Sequence, residues 1–221
     1  MSTVAEPAYR KRIGYQAGLL GGFATLAAAL LIVGNSSTHE AIAARQAEDL
    51  LESLSQVLPD ELHDNNLLDN AILVERSNGQ PLTIYRALKD QQLTGLAYRM
   101  GVQGYAGEIK LLLGIKPDGE LIGVRVLAHA ETPGLGDNIE IEKDSWILTF
   151  KGRSLSNTPT SAWGVKKDGG EFDSFSGATI TPRAVVRGVH EGLQFYAAHQ
   201  DELSIMSEKP RAASPEGEAS Q

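Results

Sequence analysis

Residues 13–33 run for 21 positions without a charged side chain, and such a stretch leaves few folding options. As a helix it is about 31 Å long, close to the thickness of a bilayer core. A cleaved signal peptide is the other reading, but its apolar region usually covers about 7 to 15 residues. Length therefore favours a retained transmembrane helix over residues 13–34. Arg10, Lys11 and Arg12 stand directly before the run, and the next cation after it is Arg45. The positive-inside rule then leaves residues 1–12 as a cytoplasmic tail and sends the rest of the chain across the membrane.

Beyond the anchor the chain is acidic. Arg10, Lys11 and Arg12 against Glu6 leave the first 34 residues at +2, and the remainder, with 17 basic and 27 acidic residues, at −10. Nucleic-acid binding needs clustered Lys and Arg that this part lacks; a solvated acidic surface is the ordinary reading. There is no cysteine, which excludes disulfides, zinc–thiolate sites and cysteine-held iron–sulfur clusters. His39, His63, His129, His190 and His199 have no metal-ligand spacing, and no nucleophile elbow surrounds a serine. With 221 residues, 42% of them hydrophobic, the chain has room for one packed domain plus appendages.

After the anchor, Ser36, Ser37 or Thr38 can cap a helix through Ala41 to Leu58, stopped by Pro59, so residues 35–60 read as a helical stalk. Residues 61–207 read as the domain. Residues 71–74, 82–88 and 93–99 have strand character, separated by Asn78-Gly79 and by a polar bend. Residues 108–116 and 120–128 flank Pro117-Asp118-Gly119, a hairpin turn in which proline presets one dihedral and glycine permits a positive one. These pairs predict an antiparallel sheet. Trp146, Ile147 and Phe150 predict a short helix with one apolar side. A final helix comes next, with Thr181 as cap, Pro182 in first position, and Val185, Val186, Val189, Leu193 and Tyr196 on one face. Residues 208–221 lack apolar periodicity and read as a disordered tail.

Chemistry concentrates just before that last helix. Asp173-Ser174-Phe175-Ser176-Gly177-Ala178-Thr179 is a small-residue turn followed by a hydroxyl. Free N–H groups and a helix dipole favour a phosphate there, although plain helix capping fits the same residues. A second sharp connection, Glu131-Thr132-Pro133-Gly134-Leu135-Gly136-Asp137, comes after the strand ending near Ala128, and by itself it is an ordinary turn. Lys166 and Lys167 can approach a phosphate, but a solvated pair is the plainer reading.

The first string resembles the flavinylation motif of covalent FMN-binding domains, where an aspartate precedes Ser or Thr, then Gly, Ala and Thr. The resemblance implies that Thr179 is joined to FMN through a phosphoester, installed by a separate flavin transferase with FAD as donor. Asp173, Ser176, Gly177 and Ala178 would then serve recognition and placement. A phosphodiester carries one negative charge instead of nearly two, so a helix N-terminus without an arginine clamp suffices for it. The second string resembles the loop against the flavin ring in the G subunit of the Rnf electron-transport complex, and in the related C subunit of the sodium-pumping NADH:quinone reductase. That adds Glu131, Thr132, Gly134, Leu135 and Gly136 as expected flavin contacts. The resemblance to the Rnf G subunit continues through Trp163-Gly164-Val165-Lys166-Lys167-Asp168-Gly169-Gly170 to Thr181-Pro182-Arg183-Ala184-Val185-Val186.

The fold expected is α+β: one N-terminal transmembrane helix and a single extracytoplasmic domain with a largely antiparallel sheet and packed helices. The resemblance implies an electron-carrying flavoprotein subunit of an ion-translocating oxidoreductase, a translocase that couples electron transfer between ferredoxin and NAD to ion movement. FMN does the redox chemistry and no independent catalysis is expected. The implied partners are the other membrane subunits of the Rnf complex, including a second covalent-FMN subunit, and the transferase during maturation. The implied location is the inner membrane, single-pass, with a periplasmic FMN domain. A stand-alone anchored flavin reductase and an anchored assembly protein without a redox role are the competing readings.

Overall fold

The computed structural model describes residues 13–75 and 81–205. The expected cytoplasmic tail, the Asn78-Gly79 bend and the tail at 208–221 lie outside them. Among the described residues are two helices, α1 (Ile13–Val57) and α2 (Ile180–Ile205), and five strands. The strands are β1 (Ile72–Glu75), β2 (Pro81–Lys89), β3 (Gln92–Gln103), β4 (Glu108–Ile115) and β5 (Leu121–Ala128), joined in part by short 3₁₀ turns.

α1 corrects the expectation that a second helix starts at Ser36, Ser37 or Thr38, because one helix runs through all three. A helix tolerates hydroxyl residues that bond back one turn. Thr38 Oγ1 donates to Gly34 O at 2.8 Å, as Thr25 Oγ1 does to Gly21 O at 2.9 Å. Within α1, the 22 residues Ile13–Gly34 have a mean hydropathy of 2.1 and no buried position. Leu20, Phe23, Leu30 and Leu31 all stand exposed. A helix of that length spans about 33 Å, so this segment is the candidate membrane anchor.

The compact domain begins at Leu50, inside the segment expected as stalk. Its five strands pair antiparallel in sequence order. β4 is an apolar run rather than an alternation, with Leu111, Leu112 and Leu113 in succession. Successive side chains leave a strand on opposite faces, so such a run requires cover on both sides. Leu111 and Leu113 enter one core with Val185, Val189 and Leu193 of α2. Leu112 enters another with Leu54, Val57 and Leu58, at the end of α1. The result is the expected α+β arrangement, with the sheet between two apolar layers.

α2 lies very close to the sheet, which fixes where its N-terminal end falls. A Cβ built on Gly192 would stand 2.4 Å from Leu113 Cδ2, and one on Gly188 would stand 3.1 Å from Leu111 Cδ1. Tyr98 OH donates to Gly192 O at 2.7 Å, and Tyr196 OH donates to Pro117 O at 2.9 Å. Trp146, Ile147 and Phe150 occupy a 3₁₀ helix, Ser145–Phe150, and pack into the same core. Trp146 Nε1 donates to Asp173 O at 2.9 Å, which places the start of the 173–179 string against that core.

Candidate functional site

The loop after β5 folds around one carboxylate. Thr132–Leu135 closes as a turn, with Leu135 N–H donating to Thr132 O at 3.1 Å. Pro133 and Gly134 fill its central positions, and Gly134 has φ +77°, the placement a type II turn requires. Glu131, 4% exposed, turns inward. Its Oε1 accepts the Tyr105 and Ala106 N–H groups at 2.9 and 3.0 Å, and its Oε2 accepts the Thr181 hydroxyl. One carboxylate thereby joins the 104–107 connection, the 131–137 loop and the first turn of α2. Two glycines give it room. A Cβ on Gly104 would stand 2.4 Å from Glu131 Oε1, and one on Gly136 would stand 3.0 Å from both Glu131 Cβ and Thr181 Oγ1.

Side chains outside the loop hold it in place. Glu131 N–H donates to His129 Nδ1 at 3.0 Å. The proton of this imidazole therefore sits on Nε2, which donates to Glu140 Oε1 at 2.6 Å. Lys143 Nζ bonds Asp137 Oδ2 at 2.6 Å and holds that carboxyl below the usual carboxylate range.

The second turn faces the first. Ala178 N–H donates to Phe175 O at 3.2 Å, and Gly177 within that turn has φ +81°, a conformation costly for any other residue. A Cβ on Gly177 would sit 3.5 Å from Leu135 Cδ2, so the two turns are in contact range. α2 then begins at Ile180, and Arg183 N–H donates to Thr179 O at 3.3 Å. Thr179 is thus the residue at the cap position. This corrects the expectation that Thr181 caps the helix, since the Thr181 hydroxyl is drawn to Glu131 instead. Pro182 is accordingly third in the helix, where a missing N–H still costs no intrahelical bond.

Three consecutive residues strap this string to the helix. Lys166 Nζ pairs with Asp173 Oδ1 at 2.7 Å. Arg183 grips Asp168 with two bonds, Nε to Oδ2 at 2.6 Å and an Nη2 bond to Oδ1 at 2.9 Å, and that fork holds the Asp168 carboxyl low. Between them, Lys167 Nζ donates to Thr179 Oγ1 at 3.1 Å. Lys166 and Lys167 are both exposed, as a solvated pair would be, and each also makes one specific contact.

The two turns and the helix end enclose an open pocket of about 270 Å³. Of the residues expected at the cofactor, Glu131, Thr132, Leu135, Gly136, Gly177, Ala178 and Thr179 line it. Gly134 shapes the first turn, Asp173 pairs with Lys166, and Ser176 is exposed; none of these three lines the pocket. Tyr105, Ile180 and Thr181 line it as well, and the sequence reading did not assign them to the site. Tyr105 had one available signal, an aromatic residue inside the glycine-flanked connection Gly104-Tyr105-Ala106-Gly107.

Glu131→Ala leaves two backbone N–H groups and the Thr181 hydroxyl without their acceptor. The expected loss is about 2 to 3 kcal/mol. Glu131→Gln keeps an oxygen for the two N–H groups and places an amide where the Thr181 hydroxyl can accept, so about 1 kcal/mol or less is expected. Urea titration of both variants beside the wild type measures the difference. Equal losses would show that the carboxylate does not organise the loops.

With the geometry in place, the comparisons assign a class and then a family. Residues 104–194 match the FMN-binding domain family, and this stretch includes every residue that lines the pocket. The G subunit of the ion-translocating oxidoreductase complex of Stutzerimonas stutzeri is 44% identical over 202 residues, covering 91% of this chain and 89% of the relative. The protein of the same name from Cereibacter sphaeroides is 47% identical over 186 residues, covering 84% of each chain. That from Shewanella loihica is 43% identical over 199 residues, covering 88% of this chain and 94% of the relative. The chain belongs to the G-subunit family of ion-translocating oxidoreductase complexes, the family its motifs resemble. A crystal structure of the C subunit of the Na(+)-translocating NADH-quinone reductase from Parabacteroides distasonis shares the fold, with a TM-score of 0.51 at 22% identity. It covers 71% of this chain and 94% of that one.

Proposed function

We propose that this chain is the electron-carrying flavoprotein subunit of a membrane-bound, ion-translocating oxidoreductase, and that its FMN is bonded through the phosphate to Thr179 Oγ1. The observation that carries the reading is the position of that hydroxyl. It lies at the cap of α2, at the wall of a pocket that both candidate strings line. Within the complex the chain would relay electrons between ferredoxin and NAD while ions cross the membrane. Its partners are the other complex subunits, a second covalent-FMN subunit among them, with a flavin transferase acting during maturation. The domain is assigned to the periplasmic side, with the helix at Ile13–Gly34 as its anchor.

The residues present fit the group. Tyr105, Leu135 and Ile180 expose apolar surface at the pocket (68%, 43% and 48% exposed), which a flavin ring would cover at a gain of about 25 cal/mol per Å². The pocket is slightly smaller than the roughly 300 to 1,000 Å³ of sites that enclose a drug-sized ligand, so one ring edge stays open to a partner. Thr179 fixes the phosphate end at a helix N-terminus, where the dipole favours an anion. FMN supplies acceptance and release of one or two electrons. The protein supplies attachment, position and partial exclusion of water. Asp173, Ser176 and Gly134 are assigned to presentation of the two turns, the first two also to recognition by the transferase.

Intact mass of the protein from its native membrane tests the reading. The expected increment is one FMN less one water, mapped to the peptide that contains Thr179. An unmodified chain from cells that possess a flavin transferase would overturn it.

A further inference from the structure

Lys167 differs from the charged residues beside it in its hydrogen-bond partner, although its charge also helps to hold the Asp168 carboxyl low. Lys166 is paired with Asp173, and Asp168 is held by the fork of Arg183. Lys167 lies between them in the same 3₁₀ turn, Lys166–Asp168, yet among the described residues it makes no ion pair. It donates to the hydroxyl of Thr179 at 3.1 Å instead. Neighbouring carboxylates are thus occupied by other cations, and the remaining ammonium of this turn is aimed at the oxygen proposed to carry a phosphoryl group.

We propose that Lys167 is the counter-cation of the phosphoryl group bonded to Thr179 Oγ1, and that it stabilises the negative charge of that group while the bond forms. The proposal rests on the attachment reading above. In the attachment step, Thr179 Oγ1 bonds to the flavin-side phosphorus of FAD. The pyrophosphate P–O bond to the adenylate breaks, its electron pair leaves on AMP, and the hydroxyl proton is released to water. The products are the threonyl phosphodiester of FMN, AMP and a proton. No electrons are gained or lost by the flavin. Charge gathers on the phosphoryl oxygens during this displacement, and a lysine acts on such oxygens as a point charge. The ordering of the turn lowers the entropy lost on engagement. Gly169 ends the turn with φ +87° and its N–H bonded to Lys166 O at 3.1 Å, while the two flanking ion pairs tie the turn to the attachment string and to α2.

The test is covalent loading of the full-length protein in detergent by purified flavin transferase and FAD, followed by intact mass. Lys167→Ala is expected to load about tenfold more slowly or worse, the size of a lost hydrogen bond to a charged group. Lys167→Glu is expected to be slower still, and Lys167→Arg is expected to stay within about threefold of the wild type because it restores the charge. Lys151→Ala, an exposed cation that does not line the pocket, is the control and should load normally. Phosphorus NMR of fully loaded material gives a readout that does not depend on rate. The diester resonance of Lys167→Ala should differ from that of the wild type, and Lys167→Arg should lie closer to it. Thermal melting of the unloaded variants should be unchanged. Wild-type rates and an unmoved resonance in Lys167→Ala and Lys167→Glu overturn the proposal alone. An arginine variant as slow as the alanine variant also overturns it. A wild-type chain that gains no mass at Thr179 overturns the attachment reading and this proposal together.

Discussion

Thr179→Ala is expected to abolish covalent flavin completely while leaving the domain folded. The two halves of that expectation rest on different atoms of one residue. The hydroxyl oxygen is the proposed bonding atom, and alanine has none. The fold uses the backbone carbonyl, which accepts the Arg183 N–H and starts α2, and alanine keeps that bond. The side chain bonds to exposed Lys167, so its loss removes no core contact. No helix N–H donates to this hydroxyl among the described bonds, so its removal costs about 1 kcal/mol at most, a fall in Tm of no more than roughly 2 to 4 °C in a chain of this size. Denaturing gel fluorescence reads the first half, because only bonded flavin survives unfolding, and a melting curve reads the second. A fluorescent Thr179→Ala band would place the bond elsewhere. Thr179→Ser keeps an oxygen at the same position and should give a labelled band, which separates loss of the nucleophile from loss of the turn.

What the sequence announced and what it hid divide along physical lines. Pro117-Asp118-Gly119 announced its hairpin because each residue presets its own dihedral angle. α2 was visible because Val185, Val189, Leu193 and Tyr196 repeat at helical spacing, whatever else the chain does. The failures lie where a distant partner decides. Thr181-Pro182 has the local form of a helix start, yet the Thr181 hydroxyl bonds Glu131 fifty positions earlier, and the cap moves to Thr179. Lys167 meets Thr179 only because the turn at Lys166–Asp168 folds back over the string. No spacing rule relates those two residues. Ser36 to Thr38 carried a cap signal that α1 runs through, and the Thr38 hydroxyl bonds back to the carbonyl four residues before.

The sheet makes a different demand, which Gly114→Ala should expose. Gly114 of β4 pairs with Gly123 of β5, and the end of α1 lies over both. A Cβ on Gly114 would stand 2.3 Å from Val57 O, 2.8 Å from Val57 Cβ and 2.9 Å from Val57 C. Two of those atoms are backbone, so no rotamer change relieves the overlap. Either β4 or the last turn of α1 must move. Moving the helix uncovers Leu54, Val57 and Leu58, all fully buried and each contributing about 1.5 to 3 kcal/mol. Moving the strand disturbs Leu111 and Leu113, which hold α2 on the other face. The expected cost is about 3 kcal/mol or somewhat more, a fall in Tm of roughly 6 to 12 °C. Gly123→Ala is the matched control. Its Cβ would meet Gln56 O at 3.6 Å and Val57 Cγ1 at 3.7 Å, ordinary contact, so a change within about 1 kcal/mol is expected. If the two alanines melt alike, the close approach of the helix end to β4 is not what holds that face together. If Gly114→Ala alone melts early and also loads flavin more slowly per folded molecule, the strand has moved under α2. The site at Thr179 then depends on a glycine on the far side of the sheet.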